Sequence, residues 1–422
     1  MTARDHAKAR GQKSAVAPRI PALNSTPGSA SKRLGRFTES VIREQTRLAH
    51  AHKAVNLAQG FPDFPCPPEL KALAHKAIDD DHNQYSVTWG VPALRAAIAR
   101  KARAYNGIAV DPDTEVTVTC GSTEAMICAY LGLVDPGREV ILFQPFYENY
   151  HPDSYLSGAT PVHVTLRPDA ATGEWVFDER ELARAFGPKT AAVVITTPHN
   201  PTGKVFTHAE LEAIAKLCAK WGAKLFSDEI YEHILYDGAK HVSPASVPGL
   251  EDRTVTINSA SKTYGVTGWR VGWAIAPAPL TASLRKVHDF LTVCAATPLQ
   301  TAVRGALEMP KSYYAGMARE YRARRDFLMR GLKAAGFAPF KPRGAYYIMA
   351  DASAHLATGK GRGAPKDDVA LARLLVEDIG VAAVPGSSFY KPGKDGRKDL
   401  LRFCFCKKEE TLREAVERMG RL

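Results

Sequence analysis

From residue 116 onward, short runs of β-branched and other apolar residues alternate with longer stretches of helical periodicity. The runs at 116–119, 140–143, 162–166, 191–197, 224–228, 254–259 and 271–276 have the length and composition of strands. Between them, 123–133 and 209–221 read as helices. Strand–helix alternation of this kind predicts an α/β fold with a mostly parallel sheet flanked by helices. Further on, 280–307 and 313–335 read as helical. In the second, Met317, Tyr321, Leu328, Leu332 and Ala335 recur at multiples of three and four, a core-facing stripe. The C-terminal part reads strand 346–350, helix 369–379, strands 381–384 and 401–406, and helix 409–421, with Gly/Lys/Pro-rich loops at 358–366 and 391–399. The expected division is a disordered basic tail at 1–35, a large α/β domain at 66–310, and a smaller α+β domain built from 36–65 and 311–422.

Charge alters this picture less than its total suggests. The net charge is +12, but residues 1–36 hold eight Lys/Arg against one acid, so most of the excess lies in the tail. The body is too mildly basic to carry a footprint for nucleic acid. The tail lacks the apolar stretch of a secretory signal and has a faint likeness to an organelle transit peptide; a plain solvated extension is the favoured reading. No apolar run approaches the about 18 residues needed to cross a bilayer, so no membrane role is expected. Seven cysteines, none in a C-x-x-C pair, suggest a reducing compartment without disulfides, and hence a cytoplasmic location.

Polar residues gather where the strands end. Run 116–119 leads into Cys120-Gly121-Ser122-Thr123 and a helix. Run 191–197 leads into Pro198-His199-Asn200-Pro201-Thr202-Gly203. Run 224–228 ends in Ser227-Asp228-Glu229 with Tyr231 following, and 254–259 runs on into Ala260-Ser261-Lys262. Ligands of open parallel sheets bind beyond the carboxyl ends of the strands. Gly121-Ser122-Thr123 opening a helix offers free N–H groups and two hydroxyls to an anion, although an empty helix cap explains it as well. A buried Asp228 needs a cationic partner, and a protonated pyridine nitrogen would be one; a surface position or a helix cap is the plainer alternative. Lys262 taken alone reads as a solvated lysine.

In combination these segments resemble the class I/II, fold-type-I pyridoxal-phosphate aminotransferases. The likeness runs over nearly all of 36–422. It is carried by Asn56-Leu57-Ala58-Gln59-Gly60-Phe61-Pro62-Asp63-Phe64, Asn83-Gln84-Tyr85, Pro198 to Gly203, Ser227-Asp228-Glu229-Ile230-Tyr231, Ser259-Ala260-Ser261-Lys262-Thr263, Gly268-Trp269-Arg270-Val271-Gly272 and Arg402-Phe403-Cys404-Phe405. The branch it looks most like contains the kynurenine, glutamine and methionine aminotransferases and the succinyldiaminopimelate-type enzymes. The resemblance implies that an α-amino group moves from an amino acid to a 2-oxo acid through a pyridoxal 5'-phosphate Schiff base on Lys262, which also shuttles the substrate proton. It implies Asp228 at the pyridine nitrogen, Asn200 and Tyr231 at the phenolate oxygen, and Tyr147 stacked on the ring. The phosphate would meet Gly121, Ser122, Thr123, Ser259 and Arg270, with Tyr85 reaching across from a second subunit of a homodimer with shared active sites. Arg402 would grip the substrate's α-carboxylate, and Gly60, Phe61 and Asn200 would line the substrate side.

Other chemistries compete. Elimination from cysteine conjugates would use the same Lys262 and the same cofactor. Ser259-x-x-Lys262 also fits the acyl-serine hydrolase signature, but its companion S-D-N and K-T-G elements are absent from the sequence. A pyridoxal-binding transcription regulator would need a helix-turn-helix domain ahead of residue 36, where there is no room for one. There is no H-E-x-x-H, so no metal is expected, and His50, His52 and Glu232-His233 read as solvated helix positions. Arg402 has its own argument: alternation in 401–406 places it on one strand face with Cys404 and Cys406, a poorly hydrated setting that calls for an anion. That anion is a structural acid or the substrate.

Overall fold

The computed structural model describes residues 31–357, 364–391, 393 and 396–422. The expected tail therefore lies almost wholly outside the described residues, and its last part, Lys32–Arg36, forms one 3₁₀ turn. Seven strands make the main sheet: β1 (Val116–Thr119), β2 (Glu139–Gln144), β3 (Thr160–Thr165), β4 (Thr190–Thr196), β5 (Lys224–Asp228), β6 (Thr254–Ser259) and β7 (Gly272–Ile275). Their order is β1-β7-β6-β5-β4-β2-β3. Only β7 runs antiparallel to its neighbours.

Both faces of this sheet are covered, which is why the strands read as apolar runs and not as alternating ones. On β4, Val193 and Ile195 pack with Ile141, Leu225 and the Leu211, Ile214 and Cys218 stripe of helix His208–Trp221. The intervening Ala192 and Val194 pack on the other face with Phe226, Val255, Ile257 and the Ala125 and Ala129 positions of α2 (Ser122–Leu133). Each such aliphatic side chain, fully buried, contributes about 1.5–3 kcal/mol. Helix His208–Trp221 has clear local instructions: Thr207 and Glu210 form a capping box, and Gly222, at φ 65°, ends it in the left-handed region.

A second, four-stranded antiparallel sheet has the order β8 (Ala338–Pro339), β9 (Tyr347–Asp351), β11 (Leu400–Cys404), β10 (Val384–Pro385). Helix Lys311–Ala334 lies against it and buries Tyr321, Leu328 and Leu332, with Met317 and Ala335 at the margin of the same cluster. A further helix, α1 (Val41–Ala51), begins at Ser40, whose side chain caps the Arg43 N–H. The chain then enters the pairing Val55–Asn56 with Val381–Ala382 and the Leu57 to Gly60 segment beneath β11.

Three elements depart from the sequence reading. The helix expected over 280–307 is two helices, Ala278–Leu291 and Thr297–Ala306. Between them the Thr292 hydroxyl and the His288 ring turn to Glu124, Val293 takes φ 68°, and Pro298 opens the second helix. The strand expected at 381–384 divides: its first two residues pair with Val55–Asn56, and the chain joins β11 only from Val384. The helix expected over 369–379 spans Asp368–Leu374, and its last turn widens into a π-type turn, Leu375–Ile379, before Gly380 at φ 81°.

Candidate active site

The carboxyl ends of β1, β5 and β6 and the second sheet enclose a cavity of about 140 Å³. On the β1 side the chain turns at Gly121 (φ 80°) straight into α2. A Cβ at Gly121 would collide with the Arg270 guanidinium, and one at Gly272 with the backbone of the same turn. Two glycines thus let the turn, β7 and Arg270 close on one another. Arg270 itself sits at φ 53°, donating to Thr267 O (3.0 Å) and Cys120 O (3.4 Å). An arginine held over the N-terminal end of a twelve-residue helix is a cradle for an anion. Ser122 lines the cavity there, whereas Thr123 faces solvent.

Beyond β5, Asp228 is buried and accepts from Tyr150 Oη (2.6 Å) and the Ile230 N–H (3.4 Å). Burial raises its carboxyl to about 6, against the pull of Tyr150 and of nearby Lys262. Lys262 lies on the single helical turn Ala260–Thr263 that follows β6. Burial lowers its ammonium to about 8. Its Nζ donates to Gly60 O (3.1 Å) and forms no ion pair among the described residues. A lysine and an aspartate thus share one cavity, close enough to feel each other's charge but not joined in an ion pair.

From the second sheet, β11 presents Arg402, fully buried. Its Nη1 donates to Asn200 Oδ1 (2.8 Å) and its Nη2 to Ala58 O (2.7 Å), while Nε is buried with no partner. Tyr347 and Phe389 flank the guanidinium at 4.3 and 4.8 Å. No carboxylate pairs with it among the described residues, so the structural acid allowed for in the sequence is not what satisfies it. Asn200, its oxygen committed to Arg402, keeps its amide N–H groups free. Tyr231 Oη meets Tyr347 Oη at 2.9 Å. Gly60 needs to be glycine because Tyr347 occupies the space a Cβ would take, and a tight turn is not the reason.

Of the residues singled out in the sequence, Gly60, Ser122, Tyr147, Asn200, Asp228, Tyr231, Lys262, Arg270 and Arg402 line this one cavity. Gly121 stands just behind Arg270, and Ser259 caps the Lys262 turn by accepting from the Ser261 N–H (3.3 Å). Phe61 lies outside the walls, beneath the Lys407 ammonium, and Tyr85 is 82% exposed and does not line its own chain's cavity. The sequence reading passed over Tyr150, Ser261, Tyr347, Arg43 and Glu148, all of which line it. Tyr150 had a signal: it lies one helical step beyond Tyr147. Tyr347 had none, because only the pairing of β9 with β11 brings it to Arg402.

Glu232 and His233 are not solvated, as the sequence suggested; both are buried behind the site. Glu232 accepts from Lys101 Nζ, Asn258 Nδ2 (2.6 Å) and Asn106 Nδ2 (2.8 Å). Burial pushes its carboxyl up, but Lys101 and the neighbouring histidines outweigh this and hold it at about 2. Glu229 accepts from Ser227 and Ser243 (2.9 Å each) and meets His241 Nε2 at 2.7 Å. Glu229, Glu232 and His241 converge closely, and the Lys101 ammonium already pairs with Glu232 among them.

Comparison with known proteins agrees with this site. The family model for aminotransferase class I and II matches residues 52–419, and the chain belongs to that family. It is a pyridoxal-phosphate-dependent aminotransferase, with amino acids and 2-oxo acids as its substrates. It is similar to the solved structure of N-succinyldiaminopimelate aminotransferase from Mycobacterium tuberculosis, at 40% identity and a TM-score of 0.87 over 93% of this chain and 99% of that one. A methionine aminotransferase structure from Escherichia coli matches at 36% identity and a TM-score of 0.86, again over 93% and 99%. Kynurenine–oxoglutarate transaminase 3 of Mus musculus is 38% identical over 92% of this chain and 89% of its own. The residues present fit the cofactor: an anion cradle at Gly121 to Arg270, an acid awaiting a cation at Asp228, and a buried amine at Lys262. Among the described residues no helix is long and apolar enough to cross a membrane.

Proposed function

We propose that this cavity is the transamination site and that its residues divide the work as follows. Pyridoxal phosphate, when bound, supplies a ring that draws electrons from the substrate's α-carbon. Lys262 Nζ would hold the cofactor and, once displaced by the substrate amine, would take the proton from Cα and return it; burial brings its ammonium down to about 8, nearer neutrality than a solvated lysine. Asp228 would accept a hydrogen bond from the protonated ring nitrogen, and Tyr150 donates to the carboxylate and keeps it aimed. Asn200 Nδ2 and Tyr231 Oη donate to the phenolate oxygen. The Tyr147 ring covers one face. Ser122, Arg270 and the N–H groups following Gly121 would hold the phosphate, with Ser259 beside them; the solvent-facing Thr123 would add its backbone N–H and not its hydroxyl. Arg402 takes the α-carboxylate through its fork of donors.

The observation carrying this reading is that Lys262, Asp228 and Arg402 line one cavity and none of them is held in an ion pair among the described residues. Burying charges without partners costs several kcal/mol, which a cofactor and a zwitterionic substrate would offset. In the same reading 66–310 form the cofactor-binding domain, and 36–65 with 311–422 the lobe that brings Arg402. The enzyme acts in the cytoplasm as a homodimer. Its exposed Tyr85 completes the neighbour's phosphate cradle, and exposed apolar side chains nearby in sequence and fold, Val87 and Phe290, support a covered surface there. An amino donor added to the yellow cofactor-loaded protein should move its visible absorbance to shorter wavelength and release one 2-oxo acid per site. A spectrum unmoved by every amino acid would refute the assignment.

A further inference from the structure

Resting on that reading of the site, one wall of the cavity speaks to the substrate's far end. Ile42 and Arg43, from the first turn of α1, and Glu148 line the cavity where it opens to solvent, whereas Arg402 lies at its fully buried end. Arg43 occupies the third position of α1, and its backbone N–H is the one capped by Ser40 Oγ. A cation there opposes the helix dipole, so it is a poor choice for helix stability alone. Its guanidinium has no hydrogen bond or ion pair among the described residues, although Arg47 of the same helix pairs with Glu39. Glu148, beside the α1 N-terminus, already accepts from the hydroxyl of the cap residue Ser40. Tyr147 lies between the two ends and is acted on by the charges of both Arg402 and Arg43. An amino acid held by its α-carboxylate on Arg402, with its α-carbon at Lys262, has this opening left for its side chain.

We propose that Arg43 is a specificity-determining residue that takes the distal carboxylate of dicarboxylic substrates, whether acidic amino donors or dicarboxylic 2-oxo acids. Five N–H donors and a fixed positive charge suit a carboxylate, and the α1 N-terminus adds to the potential. Neutral side chains make no use of either.

The test is kinetics of the cofactor-loaded enzyme with glutamate and 2-aminoadipate against methionine and leucine, and with lysine as the oppositely charged probe. Arg43→Ala should lower kcat/KM for the two acidic donors about ten-fold, the effect of one charge-assisted hydrogen bond at a half-open site. Methionine and leucine should lose far less, and Arg43→Lys should recover part of the acidic activity. Equal losses for acidic and neutral donors would overturn the proposal, as would an unmodified enzyme that prefers lysine, the outcome expected if Glu148 dominates the opening. An unmodified enzyme that turns over neutral donors but not acidic ones would overturn it while leaving the site reading standing. Failure with every donor would overturn the site reading itself.

Discussion

Asp228 and Glu229 are consecutive, as are Tyr231 and Glu232, yet each pair faces two ways. Asp228 and Tyr231 turn toward the cavity; Glu229, Glu232 and Asn258 turn to the layer behind it. Both layers are buried and rich in polar groups, and they differ in completeness. Behind the site nearly every carboxylate oxygen has a donor: Lys101, Asn106 and Asn258 on Glu232; Ser227, Ser243 and His241 on Glu229. In the cavity, among the described residues, Lys262 has one carbonyl, Arg402 Nε has no partner, and Asp228 has hydroxyl and N–H donors but no ion pair. The one gap behind the site is His241 Nδ1, buried without a partner; a layer whose carboxylates are saturated with donors is scaffold, and one whose charged groups are left short waits for a ligand.

The largest way to break this contrast is to remove a donor from the rear layer. Lys101→Met leaves Glu232 buried and unpaired, which should cost about 3–5 kcal/mol of stability. Calorimetry should show the lowered melting temperature, while kcat of the folded, loaded enzyme changes a few-fold at most. A collapse of kcat at unchanged melting temperature would mean that the rear layer belongs to the site. The reverse pattern should hold for Arg402→Lys. Losing the paired geometry should lower kcat/KM for α-amino acids about a hundred-fold, at about 3 kcal/mol for a charged hydrogen bond. Amines without the carboxylate should lose far less, and equal losses would make Arg402 a structural residue.

A subtler effect follows from Asp228. Its carboxyl is raised to about 6, so between about pH 4 and 6 the folded, cofactor-free chain binds a proton that the unfolded chain has released. That share of stability is present below about pH 4 and lost as the pH rises through 6. Asp228→Asn should therefore make the cofactor-free chain more stable at pH 7, by roughly 2–3 kcal/mol, while disabling turnover. The two proteins should converge at pH 4, and denaturant titrations at both pH values check it. The smallest expected effect is at Tyr85. Tyr85→Phe removes one hydroxyl donor to the neighbour's phosphate and should weaken cofactor affinity about ten-fold. Equilibrium dialysis measures it, and unchanged retention would remove Tyr85 from the cradle.

Much of the main sheet was legible because parallel strands buried on both faces read as apolar runs, and the residues closing them stand in sequence beside the strands they end. Lys262, Asp228 and the Gly121 turn are of that kind. Arg402 was legible by alternation along a single strand. Features fixed by distant partners were not. Glu232 looked solvated because Lys101, which neutralises it, lies 131 residues away in the chain. Tyr347 and Arg43 reach the cavity only through the packing of β9 and α1. The break within 280–307 depends on Glu124, which draws both His288 and Thr292 from another helix.

The central claim is that the unsaturated layer, and not the saturated one, carries the chemistry. Its most direct test is borohydride reduction of the cofactor-loaded enzyme, which fixes the cofactor to the lysine that holds it, followed by peptide mapping. One lysine in each layer competes: Lys262 in the cavity and Lys101 behind it. The pyridoxyl label is expected on Lys262 alone, disappearing in Lys262→Ala and persisting in Lys101→Met. Label on Lys101 or on any other lysine would contradict the account.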